Sequence, residues 1–259
     1  GQRLDHDSIK KHMPNDGSAR FDNLTNAVGV LVLAGPKSRE ILQKLTRTDL
    51  SNAAFPWLSS KLIEVGLGPA MAFRMNFVGE LGWELHHPIE YQNHIFDAIM
   101  AAGAEFGIKP FGIRAMDAMR LEKSYRLVGT ELSIEYAALE SGLHRFVHLN
   151  KGEFKGRQKL SQWQESGFAN TMVTLEVHDT TDADAIGGNP IMLPDGEVIG
   201  RATGGGFGFR LDKSLALAMV RPELSAVGTE LMIDVLDHRL RATVLEESPY
   251  DPDNQRLRA

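Results

Sequence analysis

The sequence predicts an α+β region followed by a small all-β, barrel-like domain, and three observations predict it. Segments with helical apolar spacing alternate with short branched strands as far as about residue 166. Beyond that point strand-length segments follow one another with no helical stripe between them. Strong turn signals separate those strands, as an all-β unit requires. The expected division is residues 1–166 and residues 167–259.

In chain order, residues 7–13 suit a short polar helix that stops at Pro14 and the Asn15-Asp16-Gly17 turn signal. Residues 28–34 are short, branched and bounded by Gly35-Pro36, as a buried strand is. Pro36 suits the first turn of a following helix, where its missing N–H costs nothing, and Ile41, Leu42 and Leu45 form that helix's apolar stripe. Residues 71–77 and 83–87 are expected to be strands flanking Val78-Gly79-Glu80-Leu81-Gly82, whose two glycines suit a tight connection. A helix from about residue 90 puts Ile95, Ile99, Ala102 and Phe106 on one face and stops at Gly107. Another, over residues 112–123, is rich in alanine and methionine. Strands are then expected over residues 172–177, 197–203, 215–220, 231–236 and 240–245. Leu231, Ile233 and Val235 alternate with polar neighbours, and Asp237-His238 turns the chain into Leu240, Ala242 and Val244. Leu193-Pro194-Asp195-Gly196 is a further turn signal.

Composition excludes several classes of function. With 259 residues, 42% of them hydrophobic, the chain is long enough to bury real cores. A formal charge of −6 argues against nucleic acid as a partner, since that role needs a basic face. The absence of cysteine removes disulfides, thiolate metal sites and cysteine nucleophiles, and fits a reducing compartment. No apolar stretch is long enough to span a bilayer and no secretory leader is visible at the start. A cytoplasmic protein with no membrane association is the expectation.

Several motifs carry no chemistry. Gly204-Gly205-Gly206-Phe207-Gly208 lies between expected strands, without the helix N-terminus that a phosphate cradle needs, so a tight turn or close backbone packing is the better account. Gly35-Pro36-Lys37-Ser38 lacks the nucleotide-loop spacing, and no serine-elbow sequence occurs. His144 and His148 are placed to share a strand face, whereas His86 and His87 point to opposite faces; neither pair has a convincing third ligand, and no metal is expected.

The informative pair is Glu84 and Arg114. Glu84 sits on a strand just after a turn, and Gly82 leaves the same face open beside it. A carboxylate there can accept two parallel hydrogen bonds from a heterocycle that displays adjacent N–H donors. Arg114 opens a helix after Phe111-Gly112-Ile113, where its guanidinium can meet a carboxylate or a ring oxygen. The plainer alternative is that the two residues pair with each other or with solvent.

The run Phe77-Val78-Gly79-Glu80-Leu81-Gly82-Trp83-Glu84 resembles the Y-T-G-E-x-G-[FWY]-E signature of glycine-cleavage T-protein aminomethyltransferases. Gly112-Ile113-Arg114-Ala115-Met116-Asp117 with Arg120-Leu121-Glu122-Lys123 resembles that family's G-x-x-A-x-(D/N)-x-x-R-x-E helix. Lys151-Gly152-Glu153-Phe154-Lys155-Gly156-Arg157, the stretch over residues 200–217, and Pro249-Tyr250-Asp251-Pro252 are similar to later segments of the family, in the same order. Residues 121–126 and 129–132 look most like the C-terminal tetrahydrofolate domain of dimethylglycine and sarcosine dehydrogenases and oxidases.

The resemblance implies a folate-binding aminomethyltransferase-type module, truncated at its N-terminus, that binds tetrahydrofolate in a central opening. By position it implies that Glu84 bonds the pterin edge, Arg114 contacts the folate and Phe77 lines the pocket. It implies FAD only on an upstream domain outside this chain, with that flavin oxidoreductase domain and reduced folate as partners. The implied reaction is acceptance by tetrahydrofolate of a methylene group from an N-methyl amine, of dimethylglycine or sarcosine type. Two departures stand out: Phe77 replaces the usual tyrosine, which removes a hydroxyl, and Arg145 stands where an aromatic residue is common. The family's acid–base aspartate has no counterpart, since Asp5, Asp7 and Asp22 do not sit in its motif, so no catalytic residue is assigned and the chain alone is expected to be inactive. A stand-alone T-protein or folate-dependent demethylase, a non-catalytic folate-binding or docking module, and simple structural support for a neighbouring domain are the alternatives.

Overall fold

The computed structural model describes residues 1–180 and 182–259. Its first sheet contains β1 (Val28–Ala34), β2 (Ser60–Val65), β3 (Gly68–Phe73) and β4 (Gly82–Pro88), antiparallel in the order β1-β4-β3-β2. One face packs on α2 (Ser38–Gln43) and α3 (Gln92–Gly103), because Leu33, Ile63, Val65, Ala70, Ala72, Trp83 and Leu85 point inward at every second position. Ile41, Leu42, Ile95 and Ile99 complete that core. Gly107 ends the helical stretch in the left-handed region at φ 70°, as its position after Phe106 predicts. The opposite face is left uncovered, with Val30, Val32, Leu62 and Met71 exposed on it.

At the N-terminus, α1 (Gln2–His12) starts earlier than expected and buries none of its residues. The strand expected over residues 71–77 ends at Phe73, so residues 74–81 form a longer connection between β3 and β4 than a tight turn. That connection turns on Gly79, whose φ of +76° suits glycine. Next comes α4 (Ile113–Leu121), and α5 (Arg157–Ser166) precedes Gly167. His144 and His148 share no strand: His144 opens a short 3-10 turn and both side chains are exposed.

The remaining strands close a barrel in the order β10-β5-β8-β7-β6-β9, built from β5 (Thr171–Val177), β6 (Pro190–Met192), β7 (Val198–Gly208), β8 (Lys213–Val220), β9 (Glu230–Val235) and β10 (His238–Leu245). Its interior holds Val173, Leu175, Ile191, Ala216, Ala218, Ile233 and Val244. The β9–β10 hairpin turns at Leu236 and Asp237, both at positive φ, one residue earlier than the sequence suggests. The glycine run is not a turn between strands; it lies inside β7 and pairs with β8 from Gly204 to Gly208. A Cβ on Gly206 would stand 3.3 Å from Leu121, so a small residue there lets α4 lie close on the barrel, while one on Gly205 would stand 2.6 Å from the Ala185 carbonyl. The chain ends in α6 (Gln255–Arg258), which brings the C-terminus back to the first sheet. There Arg74 donates to the Ala259 carbonyl at 2.9 Å.

Candidate functional site

Glu84 occupies the uncovered face of the first sheet. The register sets Val32 and Phe73 directly across from it on β1 and β3, and sets Val30 and Met71 across from His86 one step along the same face. The result is an apolar floor carrying one carboxylate and one imidazole. The Glu84 side chain is 30% exposed, and its Oε2 lies 3.3 Å from His86 Nε2. The His86 ring packs edge-on against Phe73 at 4.8 Å. Among the described residues no lysine or arginine pairs with Glu84, so the alternative of a Glu84–Arg114 ion pair does not hold. His87, on the buried face, is held by the Leu85 carbonyl at 2.9 Å and by Gln92 at 2.8 Å, which makes it a satisfied core histidine.

Gly82 does not open space beside Glu84. A Cβ there would lie 2.6 Å from the Leu33 carbonyl and 2.8 Å from Asn76 Nδ2, so the glycine permits close approach of β1 and the 74–81 connection. That connection is tied down from several sides. Asn76 accepts from the Val78 N–H at 2.9 Å and donates to the Glu80 carbonyl at 2.6 Å. Arg210 donates to the Val78 carbonyl at 3.0 Å, pairs with Glu80 and buried Glu122, and lies over the Tyr250 ring at 3.9 Å. The Tyr250 hydroxyl donates to Glu80 at 2.6 Å. Glu80 is thus a structural hub of the signature motif, a role that spacing alone does not reveal.

Phe77 sits in this connection, off any strand, and its ring stacks on Tyr125 with centroids 5.7 Å apart and planes at 27°. Beneath the connection Lys123 is fully buried and donates to the Tyr250 and Asp251 carbonyls at 2.9 and 2.7 Å. Burial lowers its ammonium pKa, which Asp251 partly offsets. Burial raises the Tyr125 phenol, with Arg145 nearby acting in the opposite sense.

Arg114 makes no direct contact with Glu84 or Phe77. It is exposed in the first turn of α4, makes no hydrogen bond or ion pair with a described residue, and lines a cavity of about 450 Å³ between that helix and the barrel. Asp117, Thr130, Ile186 and Thr203 share that cavity. No hydrogen bond, ion pair or ring contact joins any two of Glu84, Phe77 and Arg114. A larger cavity of about 540 Å³, lined by Phe96, Phe106, Ile108 and Phe111 beside β1, contains none of the three.

The chain is similar to known proteins along most of its length. Residues 1–151 match the GCVT N-terminal domain and residues 170–251 match the glycine cleavage T-protein C-terminal barrel domain. The mitochondrial dimethylglycine dehydrogenase of Homo sapiens is 42% identical over 87% of this chain, and the chain spans 26% of that protein. The mitochondrial sarcosine dehydrogenase of Homo sapiens is 33% identical over 89% of the chain, which spans 26% of it. An aminomethyltransferase of Thermoanaerobacter pseudethanolicus is 32% identical over 89% of the chain, which spans 61% of that relative. The crystal structure of glycine cleavage system aminomethyltransferase T from Bartonella henselae superposes with a TM-score of 0.76 at 20% identity, over 87% of this chain and 60% of the other, so the fold is shared. Matched over both its sheet region and its barrel, the chain belongs to the glycine cleavage T-protein family.

Proposed function

We propose that this chain binds tetrahydrofolate and forms the folate part of a one-carbon-transfer enzyme. The observation that carries this reading is Glu84: a half-buried carboxylate on an apolar floor, with no cation paired to it among the described residues. Such a floor suits the face of a flat heterocycle. The carboxylate suits the adjacent N–H donors that a pterin edge presents, through charge-assisted bonds that are stronger and more directional than neutral ones. Val32 and Phe73 would contact the ring and His86 would fix the carboxylate. Phe77 would add ring contact. Arg114, with its guanidinium unengaged, would meet an acidic group or a ring oxygen of the folate.

Bound tetrahydrofolate supplies the amine nitrogens that take up a one-carbon unit at the formaldehyde oxidation level. The protein's own part is to hold the acceptor in place and so raise its effective concentration. The donor in this reading is an N-methyl amine of dimethylglycine or sarcosine type, oxidised on a flavin domain that is a separate partner carrying FAD. The higher identity to the dimethylglycine dehydrogenases favours that donor class over a stand-alone aminomethyltransferase. No residue of this chain is assigned acid–base work, and binding without turnover is expected of the chain by itself. Residues 1–166 and 167–259 as the two domains, and a cytoplasmic location, belong to the same proposal; the location rests on composition alone.

Calorimetric titration with tetrahydrofolate tests the reading. Micromolar binding that weakens about tenfold, or 1.4 kcal/mol, in Glu84→Gln is expected. No binding by the unaltered chain, or equal binding by both, contradicts it.

A further inference from the structure

The Phe77–Tyr125 stack pairs a ring that has no polar atom with one that has a hydroxyl. Tyr125 is rigidly placed. Glu122, Lys123 and Ser124 before it are all buried, and Ser124 bends the chain at φ 55°. The Tyr125 N–H donates to the Arg120 carbonyl at 3.0 Å. Ser124 Oγ bonds Thr174 Oγ1 at 2.6 Å and accepts from the Ser248 N–H at 2.9 Å, which fixes the bend to the barrel.

From the other side, the Lys123 stem fills the space where Gly79 has no side chain, since a Cβ there would come within 2.6 Å of it. Lys123 Nζ lies 5.9 Å from the Tyr125 ring centroid. The aromatic body is therefore held on two sides, yet its hydroxyl makes no hydrogen bond with a described residue and is not sealed from solvent. Phenylalanine would serve the stack equally well. A half-buried tyrosine ordinarily finds a partner for its hydroxyl, and here the described residues provide none.

We propose that Tyr125 is a ligand-contacting residue of the reduced-folate site, its phenol donating a hydrogen bond to an acceptor oxygen of the pterin. This rests on the reading of Glu84 as the pterin-edge acceptor. Glu84 takes the ring's N–H donors, Phe77 gives ring contact without polarity, and Tyr125 gives the donor that Phe77 lacks. Raised by burial, the phenol stays protonated at neutral pH and can donate.

The test is calorimetric titration of tetrahydrofolate into the unaltered chain, Tyr125→Phe and Glu84→Gln, with a thermal melt of each. Tyr125→Phe keeps the stack, so an unchanged melting temperature with binding weakened about tenfold is expected. Binding by Tyr125→Phe equal to that of the unaltered chain, while Glu84→Gln loses tenfold, overturns the Tyr125 role and leaves the folate reading standing. Absence of binding by the unaltered chain overturns both.

Discussion

Arg120 and Glu131 meet in the interior where α4 leans on the barrel, and both side chains are almost fully buried. Arg120 donates to Asp117 at 2.6 Å, to the Tyr125 carbonyl at 2.9 Å and to Glu131 at 3.1 Å. Glu131 also accepts from the Leu127 N–H and from the hydroxyls of Thr130 and Thr203. Burial opposes ionisation of Glu131, but the Leu127 N–H, the two hydroxyls and Arg120 outweigh it and hold the carboxyl below its ordinary value of 4.5. A depressed carboxyl stabilises the fold fully above the unfolded-state value and loses that contribution as pH falls through the folded-state value. Glu131→Gln is therefore expected to cost about 3 kcal/mol at neutral pH and to flatten part of the fall in urea midpoint on acidification. An unchanged acid limb in the variant would count against this account. The arginine of this pair lies in a recognisable motif, but the glutamate's role was not legible, because its partners come from Leu127, Thr130 and a strand 72 positions away. Glu84 and Arg114 were legible as candidates. That no direct contact joins them was not, since sequence spacing says nothing about which face of the sheet stays uncovered.

At the scale of elements, β1, β8 and β9 fall close to where the sequence puts them, but only β9 does so by a clean inward alternation: β8 is buried at successive positions from Ser214 to Val220, and β1, expected to be buried, leaves Val30 and Val32 exposed. The missed elements have physical reasons. β2 leaves Leu62 exposed while burying Ile63 and Val65, which blurs its period of two. β6 has only 3 residues and a register shift. α5 buries none of its residues, so it has no stripe to find. The glycines of β7 read as a turn because their reason is α4, which packs against them from outside the barrel. Two substitutions separate that helix contact from the backbone packing beside it. Gly205→Ala meets backbone oxygens of Ala185 and Leu215 at 2.6 and 2.9 Å, which cannot yield without moving strands. Gly206→Ala meets only a Leu121 methyl at 3.3 Å. We expect a loss of about 2 kcal/mol for the first and under about 1 kcal/mol for the second, as measured by denaturant unfolding; equal losses would refute the assignment.

Over the whole molecule, the C-terminal tail ties the barrel back to the first sheet. Its backbone carbonyls satisfy two buried cations, Lys123 through Tyr250 and Asp251 and Arg74 through Arg258 and Ala259. Deleting residues 246–259 leaves both cations buried without those acceptors. A loss of about 3 kcal/mol or more is expected, with amide exchange accelerated first in residues 74–81. Unchanged exchange in that connection would show that the tail does not hold it. The same connection carries Phe77 and rests beside Tyr125, so the tail supports the proposed binding surface without touching Glu84.

The Glu84 carboxylate can be probed together with the group it is proposed to bind. Tetrahydrofolate and its analogue lacking the 2-amino group are titrated into the unaltered chain and into Glu84→Gln. The unaltered chain is expected to prefer the 2-amino compound by about tenfold, or 1.4 kcal/mol, and Glu84→Gln to reduce this preference to about twofold or less. The same preference in both proteins would mean that Glu84 does not receive the pterin edge.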